Sequence, residues 1–368
     1  MAYLTDTIKR VHVELTDKCN AQCPGCVRTH AGGVLNPIIQ NQQLSLYFFK
    51  NILGVDFCSN VGHWEFCGTK GDAVSNSELF DILEFLISCN NNIIIQLHTN
   101  GGLRNTKWFE KLGNLFKGRK CTCIFAIDGL EDTNHIYRKN VKWKKVWENM
   151  LAYNKTGAKT NVNFLKFRHN EHQVEELRII CKRYNIKFNV KTPYGFNKTD
   201  KIIQTMAVHN ADGTFAYSIF PNTEYTDGRE IKDPKIIPTT HFKPGRYDTK
   251  DFIQELENIS EINCKISEGT TANLYIDSDG ALLPCCYIAS SLNMGDEQIA
   301  SLIGNRQDLI PSDSNSVQNI LESHFLSSTL KKGIKGNLET KEKYCITCVK
   351  ACEINTGFTR REIIVSNV

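Results

Sequence analysis

The chain has 368 residues, of which 41% are hydrophobic and 23% charged, and its formal net charge is +4. The length allows one large domain plus a smaller one, the composition is ordinary for a globular protein in water, and so small a charge argues against nucleic-acid binding. No apolar run reaches the ~18 residues of a membrane span, and the first residues lack a secretory signal, so we expect a cytoplasmic protein.

The first half of the chain alternates short β-rich runs with amphipathic runs. Strands are predicted over Val11–Leu15, Gly62–Cys67, Asn92–Thr99, Cys121–Ile127, Thr160–Phe167 and Lys187–Lys191. Helices are predicted over Leu44–Leu53, Glu78–Ser88, Lys107–Phe116, Trp143–Asn154 and Glu171–Tyr184. About six βα units predict an α/β fold with a parallel sheet, either an open partial (β/α)6 TIM-like barrel or a wound sheet. The site is expected at the C-terminal ends of the strands.

Three segments follow from this pattern. Residues 1–195 are predicted to form the partial barrel, and 196–260, where the pattern weakens and prolines concentrate, a connecting or lid segment. Residues 261–368 are predicted to form a small, cysteine-marked α+β domain.

Cysteine is the unusual residue of the composition, with fifteen copies in a chain that lacks a secretory signal. Cytosolic thiols stay reduced, so metal or redox chemistry is a better interpretation than disulfides. Cys19, Cys23 and Cys26 follow the first predicted strand with the spacing C-x3-C-x2-C. Three thiolates can bind three corners of a [4Fe–4S] cluster and leave one iron open to a substrate amine and carboxylate. A zinc site, which favours four closed ligands, and three unconnected thiols are the alternatives.

This motif, its position and the βα succession over roughly residues 10–190 resemble the radical S-adenosylmethionine (SAM) superfamily. Phe66–Asp72 ends the second predicted strand, where that family carries a Gly-Gly-Glu-type loop that binds the SAM amino group. The resemblance implies SAM contacts from Gly68, Thr69, Gly71 and Asp72. A plain Gly-rich turn is the alternative, and Lys70, Asp72 and Ala73 depart from the family pattern.

Later strand ends resemble the family more loosely and imply further SAM contacts from Asn100, Asp128, Lys166 and Arg168. Exposed polar loop residues are the alternative at each position. Ala126 replaces a serine of the family pattern, and Gly25 stands where the family usually has an aromatic ring, so adenine stacking must come from elsewhere. No catalytic residue is predicted.

A second cysteine group lies in the last hundred residues. Cys264 and Cys285 flank a predicted hairpin that turns at Gly280, and a predicted helix, Asn319–Gly333, leads to Cys345-x2-Cys348-x3-Cys352. This pattern resembles the SPASM/Twitch extension, which implies an auxiliary [4Fe–4S] cluster on Cys264, Cys285, Cys345 and Cys348, with Cys352 as a substitute ligand or a neighbouring thiol. Structural zinc is the competing interpretation. The remaining cysteines are expected to be buried small hydrophobes, with a reservation for Cys67, which borders the proposed SAM loop.

The resemblance implies reductive cleavage of SAM and hydrogen-atom abstraction from a small-molecule or peptide substrate, with an external one-electron reductant of the flavodoxin or ferredoxin type. The auxiliary cluster would assist oxidation or anchor substrate. A zinc-stabilised binding protein and an iron–sulfur electron-transfer or scaffold protein are the alternatives.

Overall fold

The structure is a computed structural model that describes residues 5–193, 196, 202–226, 230–232, 272–293, 295–323 and 348. The chain divides into two compact units, one of residues 13–240 and one of residues 1–12 with 241–368. Among the described residues, no helix combines the length and the apolar character needed to cross a bilayer.

The larger unit is built on a parallel sheet whose strands alternate with helices, as the sequence predicts. The strands of the alternating region are β1 (Ile8–Val13, which ends where this unit begins), β2 (His63–Phe66), β3 (Ile94–Thr99), β4 (Cys121–Ala126), β5 (Lys159–Leu165) and β6 (Lys187–Lys191). The helices are α1 (Val55–Asn60), α2 (Leu79–Cys89), α3 (Thr106–Phe116), α4 (Asn134–Tyr137), α5 (Trp143–Lys155) and α6 (Val174–Arg183). Neighbours from β2 to β6 pair in parallel and in chain order.

Side chains of β2 and β3 alternate between two environments, which follows from the two-residue period of a strand. Trp64 and Phe66 of β2 and Leu97 of β3 are buried, and the apolar side of α2 is buried as well. The side chains that alternate with them are half-buried and mostly polar. We call this surface the polar face; it comprises His63, Glu65, Gln96, His98, Asn161 and Asn163.

The predicted helix Leu44–Leu53 ends where predicted but is wrong at its start, since the helical residues begin at Leu46. The structure has a π-helical turn over Phe48–Leu53, followed by α1. The break falls at Gly54, whose φ of 84° lies in the left-handed region that glycine adopts without strain.

Between β6 and residue 232, the described residues form four short strands and one helical turn: β7 (Ile202–Gln204), β8 (Met206–His209), β9 (Phe215–Ile219), α7 (Thr223–Thr226) and β10 (Glu230–Lys232). Strands β8 and β9 form an antiparallel hairpin, and β7 pairs with β10 in parallel. These elements lie within the larger unit and inside the segment predicted to be a connection or lid. The three predicted domain boundaries stay a prediction.

The smaller unit contains β11 (Ala272–Ile276), β12 (Leu282–Leu283), α8 (Cys286–Asn293), α9 (Glu297–Ile303) and α10 (Val317–Leu321). The predicted hairpin is confirmed, since β11 and β12 are antiparallel and Gly280 in their turn has φ 92°. Arg306 donates to both Asp277 and Asp279 and so ties this turn to the chain that follows α9. Of the predicted helix Asn319–Gly333, α10 covers the start, and the residues after Ser323 lie outside the described ranges.

Candidate metal centre

Three cysteines lie on the loop that follows β1. Cys23 is buried, and Cys19 and Cys26 are half-buried. A tight turn, in which the Cys26 amide donates to the Cys23 carbonyl at 3.0 Å, brings two of them together. Burial raises the pKa of all three thiols, that of Cys26 to about 12, and the Cys23 thiolate raises the pKa of both Cys19 and Cys26. The thiols therefore lie close enough to interact electrostatically, and a metal would have to displace their protons.

Each sulfur of the trio has a polar neighbour from a distant part of the larger unit. Asn100 Nδ2 lies 3.5 Å from Cys19 Sγ, and Arg138 Nη1 lies 3.7 Å from Cys23 Sγ. The Cys26 thiol donates to the Thr69 carbonyl at 3.4 Å. Donors directed at ligand sulfurs are a feature of iron–sulfur sites, where they tune the reduction potential. The residues present therefore fit a cluster bound through three cysteines.

The Gly-rich loop after β2 is organised by Glu14, a residue that the sequence analysis did not single out. Its carboxylate accepts hydrogen bonds from the backbone amides of Thr69, Lys70 and Gly71, the last two at 3.0 and 2.9 Å. Three successive amides that converge on one carboxylate form an anion-binding concavity. The sequence signal was a charged residue inside the predicted strand Val11–Leu15.

Main-chain atoms lie very close to Gly68 and Gly71, the two glycines predicted to contact SAM. A Cβ at Gly68 would lie 1.7 Å from the Gly71 carbonyl oxygen, and a Cβ at Gly71 would lie 1.9 Å from the Thr16 carbonyl oxygen. Any larger residue would therefore force main-chain atoms apart.

Replacing Gly71 with alanine is expected to lower the free energy of unfolding by about 1–3 kcal/mol, the usual cost of overpacking. SAM affinity should fall as well, because the displaced backbone belongs to the proposed SAM loop. Denaturant titration and equilibrium binding of SAM measure the two effects. Gly54→Ala is the comparison variant, because alanine is strained at the φ of 84° there but has no atom within 4 Å of its Cβ. It should lower stability and leave SAM affinity unchanged, and undiminished SAM affinity in folded Gly71→Ala would contradict the close-contact argument.

The carboxylate of Asp72, predicted to contact the SAM amino group, is buried and already hydrogen-bonded. It accepts from the Asn100 amide at 2.8 Å, from the Thr99 hydroxyl at 3.0 Å and from the Val74 amide at 3.1 Å. Asn100 in turn donates to Asn20 and towards Cys19. Asp72 thus connects the end of β3 to the cysteine loop, and direct contact with SAM stays a prediction.

Asp128, at the end of β4, forms a buried ion pair. Its carboxylate lies 2.5 Å from Arg138 Nε and accepts from the Leu165 amide at 2.6 Å. Burial lowers the pKa of Arg138, but the adjacent Asp128 carboxylate outweighs burial and the pKa is raised. The guanidinium therefore stays charged beside Cys23. Asp128 orients this cation, and its predicted contact with SAM stays a prediction.

Lys166 and Arg168 follow β5. Lys166 Nζ lies 2.6 Å from a carboxylate oxygen of the exposed Glu224, and the Arg168 guanidinium stands over the Phe220 ring. Arg168 also lines a cavity of about 420 Å³ together with His135, Ile136, His169, Tyr217, Ser218 and Phe220. Whether either residue contacts SAM stays a prediction.

Tyr137 occupies the space that Gly25 leaves beside the cysteines. A Cβ at Gly25 would lie 2.9 Å from the Tyr137 hydroxyl and 3.4 Å from the Met206 methyl group. The Tyr137 ring packs against Phe167 with 4.7 Å between ring centroids. A tyrosine hydroxyl thus reaches this position from another element, the end of α4.

The predicted auxiliary site is described only in part. Cys285 is half-buried immediately before α8, and Cys348 is buried. Cys264, Cys345 and Cys352 lie outside the described residues. The auxiliary cluster stays a prediction.

Comparison with known proteins agrees with this fold. No protein-family profile matches the chain. Over 161 residues, which are 42% of its length, the chain is 27% identical to the FeMo cofactor biosynthesis protein NifB of Methanocaldococcus jannaschii. The match spans 50% of that protein, so the chain matches about half the length of this curated relative.

The fold is similar to that of SuiB from Streptococcus suis. SuiB bound to its precursor peptide SuiA gives a TM-score of 0.53 at 15% identity, covering 90% of this chain and 67% of SuiB. SuiB bound to S-adenosylmethionine gives 0.50 at 14% identity, covering 90% of this chain and 68% of SuiB. The predicted α/β fold with a parallel sheet is confirmed, and the predicted resemblance to the radical SAM superfamily is supported by this shared fold and by the match to NifB.

Proposed function

We propose that the protein is a radical SAM enzyme. One electron delivered to bound SAM breaks a carbon–sulfur bond and gives methionine and a 5′-deoxyadenosyl radical, which abstracts a hydrogen atom from the substrate to give 5′-deoxyadenosine and a substrate radical. The observation that supports this most is the Cys19/Cys23/Cys26 trio with Asn100 and Arg138 beside its sulfurs.

The trio would hold a [4Fe–4S] cluster, which supplies the electron and one iron open to the amine and carboxylate of SAM. The remaining work belongs to the chain. Glu14 fixes the loop of Gly68, Thr69 and Gly71 on which SAM would lie. Arg138, held by Asp128, keeps a positive charge next to the cluster and so favours its reduced form.

The substrate we propose is a peptide or a small molecule. A peptide is supported by the fold shared with SuiB, which was solved with a bound precursor peptide. The cavity beside Arg168 and His169 offers cationic and aromatic groups that suit a polar substrate group. The proposal also includes an external one-electron reductant. It further includes an auxiliary [4Fe–4S] cluster bound by Cys264, Cys285, Cys345 and Cys348, with Cys352 as a substitute ligand or a neighbouring thiol.

Anaerobic reconstitution followed by iron and sulfide analysis and a dithionite-driven assay for 5′-deoxyadenosine tests the proposal. We expect 5′-deoxyadenosine from SAM, with about four irons per chain for one cluster and about eight for two. Zinc without iron, or a cluster that leaves SAM intact after reduction, would instead indicate a zinc-stabilised binding protein or an electron-transfer scaffold.

A further inference from the structure

A thiol outside the cysteine trio lies beside an imidazole and a carboxylate of the polar face. Glu65 lies in β2, Cys67 follows that strand, and His98 lies in β3. Their donor atoms all lie within 4.8 Å of one another, and His98 Nε2 is 3.5 Å from Glu65 Oε1. All three side chains are half-buried, so the group is sheltered but still reachable.

The sheet itself imposes this convergence. The last pair between β2 and β3 joins Phe66 to Leu97, so the next position places Cys67 beside His98. Glu65 lies two residues before Cys67 and therefore on the same face of its strand. The three donors thus come from two adjacent, hydrogen-bonded strands, a rigid frame of the kind that positions metal ligands well.

We propose that Glu65, Cys67 and His98 bind a divalent transition-metal ion with the ligand preferences of zinc. Thiolate, imidazole and carboxylate are the three side-chain ligand types of protein zinc sites, and three protein ligands leave a fourth position open for water or substrate. Metal–ligand bonds of roughly 2.0–2.3 Å in a tetrahedron put donor atoms roughly 3.3–3.8 Å apart. The observed spacing reaches this range with small side-chain rotations.

The charges of the group also suit a cation. Burial lowers the pKa of His98, but the neighbouring Cys67 and Glu65 outweigh burial and raise it to about 9. A metal ion would have to displace the proton from His98.

The proposed metal site lies next to the proposed SAM loop. Cys67 directly precedes Gly68 of the proposed SAM loop, and Thr69 of that loop accepts from Cys26. An ion bound here would lie at the same edge of the sheet as the trio, with its open position available to a substrate group. The site does not require the trio to hold a cluster, so this proposal is independent of the proposed function.

Zinc binding to the full chain tests the site. After anaerobic cluster reconstitution and removal of loose metal, the protein is equilibrated with zinc(II), desalted and analysed for metal and by zinc K-edge X-ray absorption. We expect one zinc per chain in addition to cluster iron. The absorption spectrum should show a single sulfur at about 2.3 Å and nitrogen or oxygen neighbours at about 2.0–2.1 Å. This readout needs no variant and no enzymatic activity.

Three variants locate the ion. His98→Ala, Glu65→Gln and Cys67→Ala should each weaken zinc affinity by at least about 100-fold, the upper range for changes to residues that only support a ligand. Gln96→Ala is the matched control, because Gln96 lies two residues before His98 on the same face and is not part of the group. Thermal unfolding of each variant reports whether it has folded.

A zinc shell made of sulfur alone would overturn the proposal, because it would place the ion among other cysteines. Undiminished affinity in folded His98→Ala would overturn it as well. If reconstitution fails and zinc enters the trio instead, that ion is insensitive to His98→Ala, so failure of the proposed function and failure of this site give different results.

Discussion

Replacing Cys26 with alanine is expected to abolish formation of 5′-deoxyadenosine from SAM, with a loss of more than ~100-fold. Changes in residues that only support metal ligands cost 10–100-fold, and Cys26 is predicted to bind the metal directly. Two thiols cannot bind three corners of a cluster, so the variant should also lose about four irons per chain after reconstitution. Iron analysis, visible absorption and the dithionite-driven assay measure these effects together.

Cys89→Ala is the matched control for that experiment. Cys89 is half-buried at the end of α2, away from the cysteine loop, and its removal also deletes one thiol. Iron content and 5′-deoxyadenosine formation should stay at the level of the unmodified protein. If Cys26→Ala keeps both properties, the trio is not the metal centre and the proposed function fails.

Replacing Arg138 with methionine is expected to lower the free energy of unfolding by about 3–5 kcal/mol, the usual cost of breaking a buried ion pair. Asp128 has no exposed surface, so the change leaves its carboxylate buried without a cation. Removing the positive charge beside Cys23 should also make the cluster harder to reduce, which shifts its midpoint potential to more negative values. Denaturant titration and potentiometry of the reconstituted protein measure the two effects.

Two further variants test whether the buried ion pair accounts for these effects. Arg178→Met on α6 breaks an exposed pair with Glu175 and should cost less than about 1 kcal/mol. Asp128→Asn combined with Arg138→Met removes both charges and should recover part of the lost stability and part of the shift in potential, because Asp128 also acts electrostatically on Cys23. A single Arg138→Met variant as stable as Arg178→Met would contradict a structural role for the ion pair.

The features that sequence predicts well here depend on short stretches of chain. The cysteine trio lies within eight residues, and its spacing is visible without the fold. Alternating strands and helices follow from side-chain periodicity, and the Gly280 turn follows from the glycine that a positive φ favours. The extent of Leu44–Leu53 was wrong at its start, because apolar spacing alone does not show that Leu44 and Ser45 lie outside the helix.

The contacts that sequence does not predict join residues far apart in the chain. Glu14 accepts from amides 55 to 57 residues away, and Asn100 reaches Cys19 across 81 residues. Which strand end faces which loop is decided by the order of strands in the sheet. For the same reason, the acidic residues Asp72 and Asp128 could be located at strand ends, but their hydrogen-bond partners could not.

The Glu14 carboxylate, bound by three amides of the Gly-rich loop, has a consequence for ligand capture. The loop already has one defined conformation in the free protein, because its amides are held by an anion that belongs to the chain itself. A ligand that binds such a preorganised loop does not have to order it, and the entropy that ordering would consume is retained as affinity. The proposed cofactor would be bound, cleaved and replaced in every turnover, so a loop that keeps its conformation between cycles would favour each new binding step.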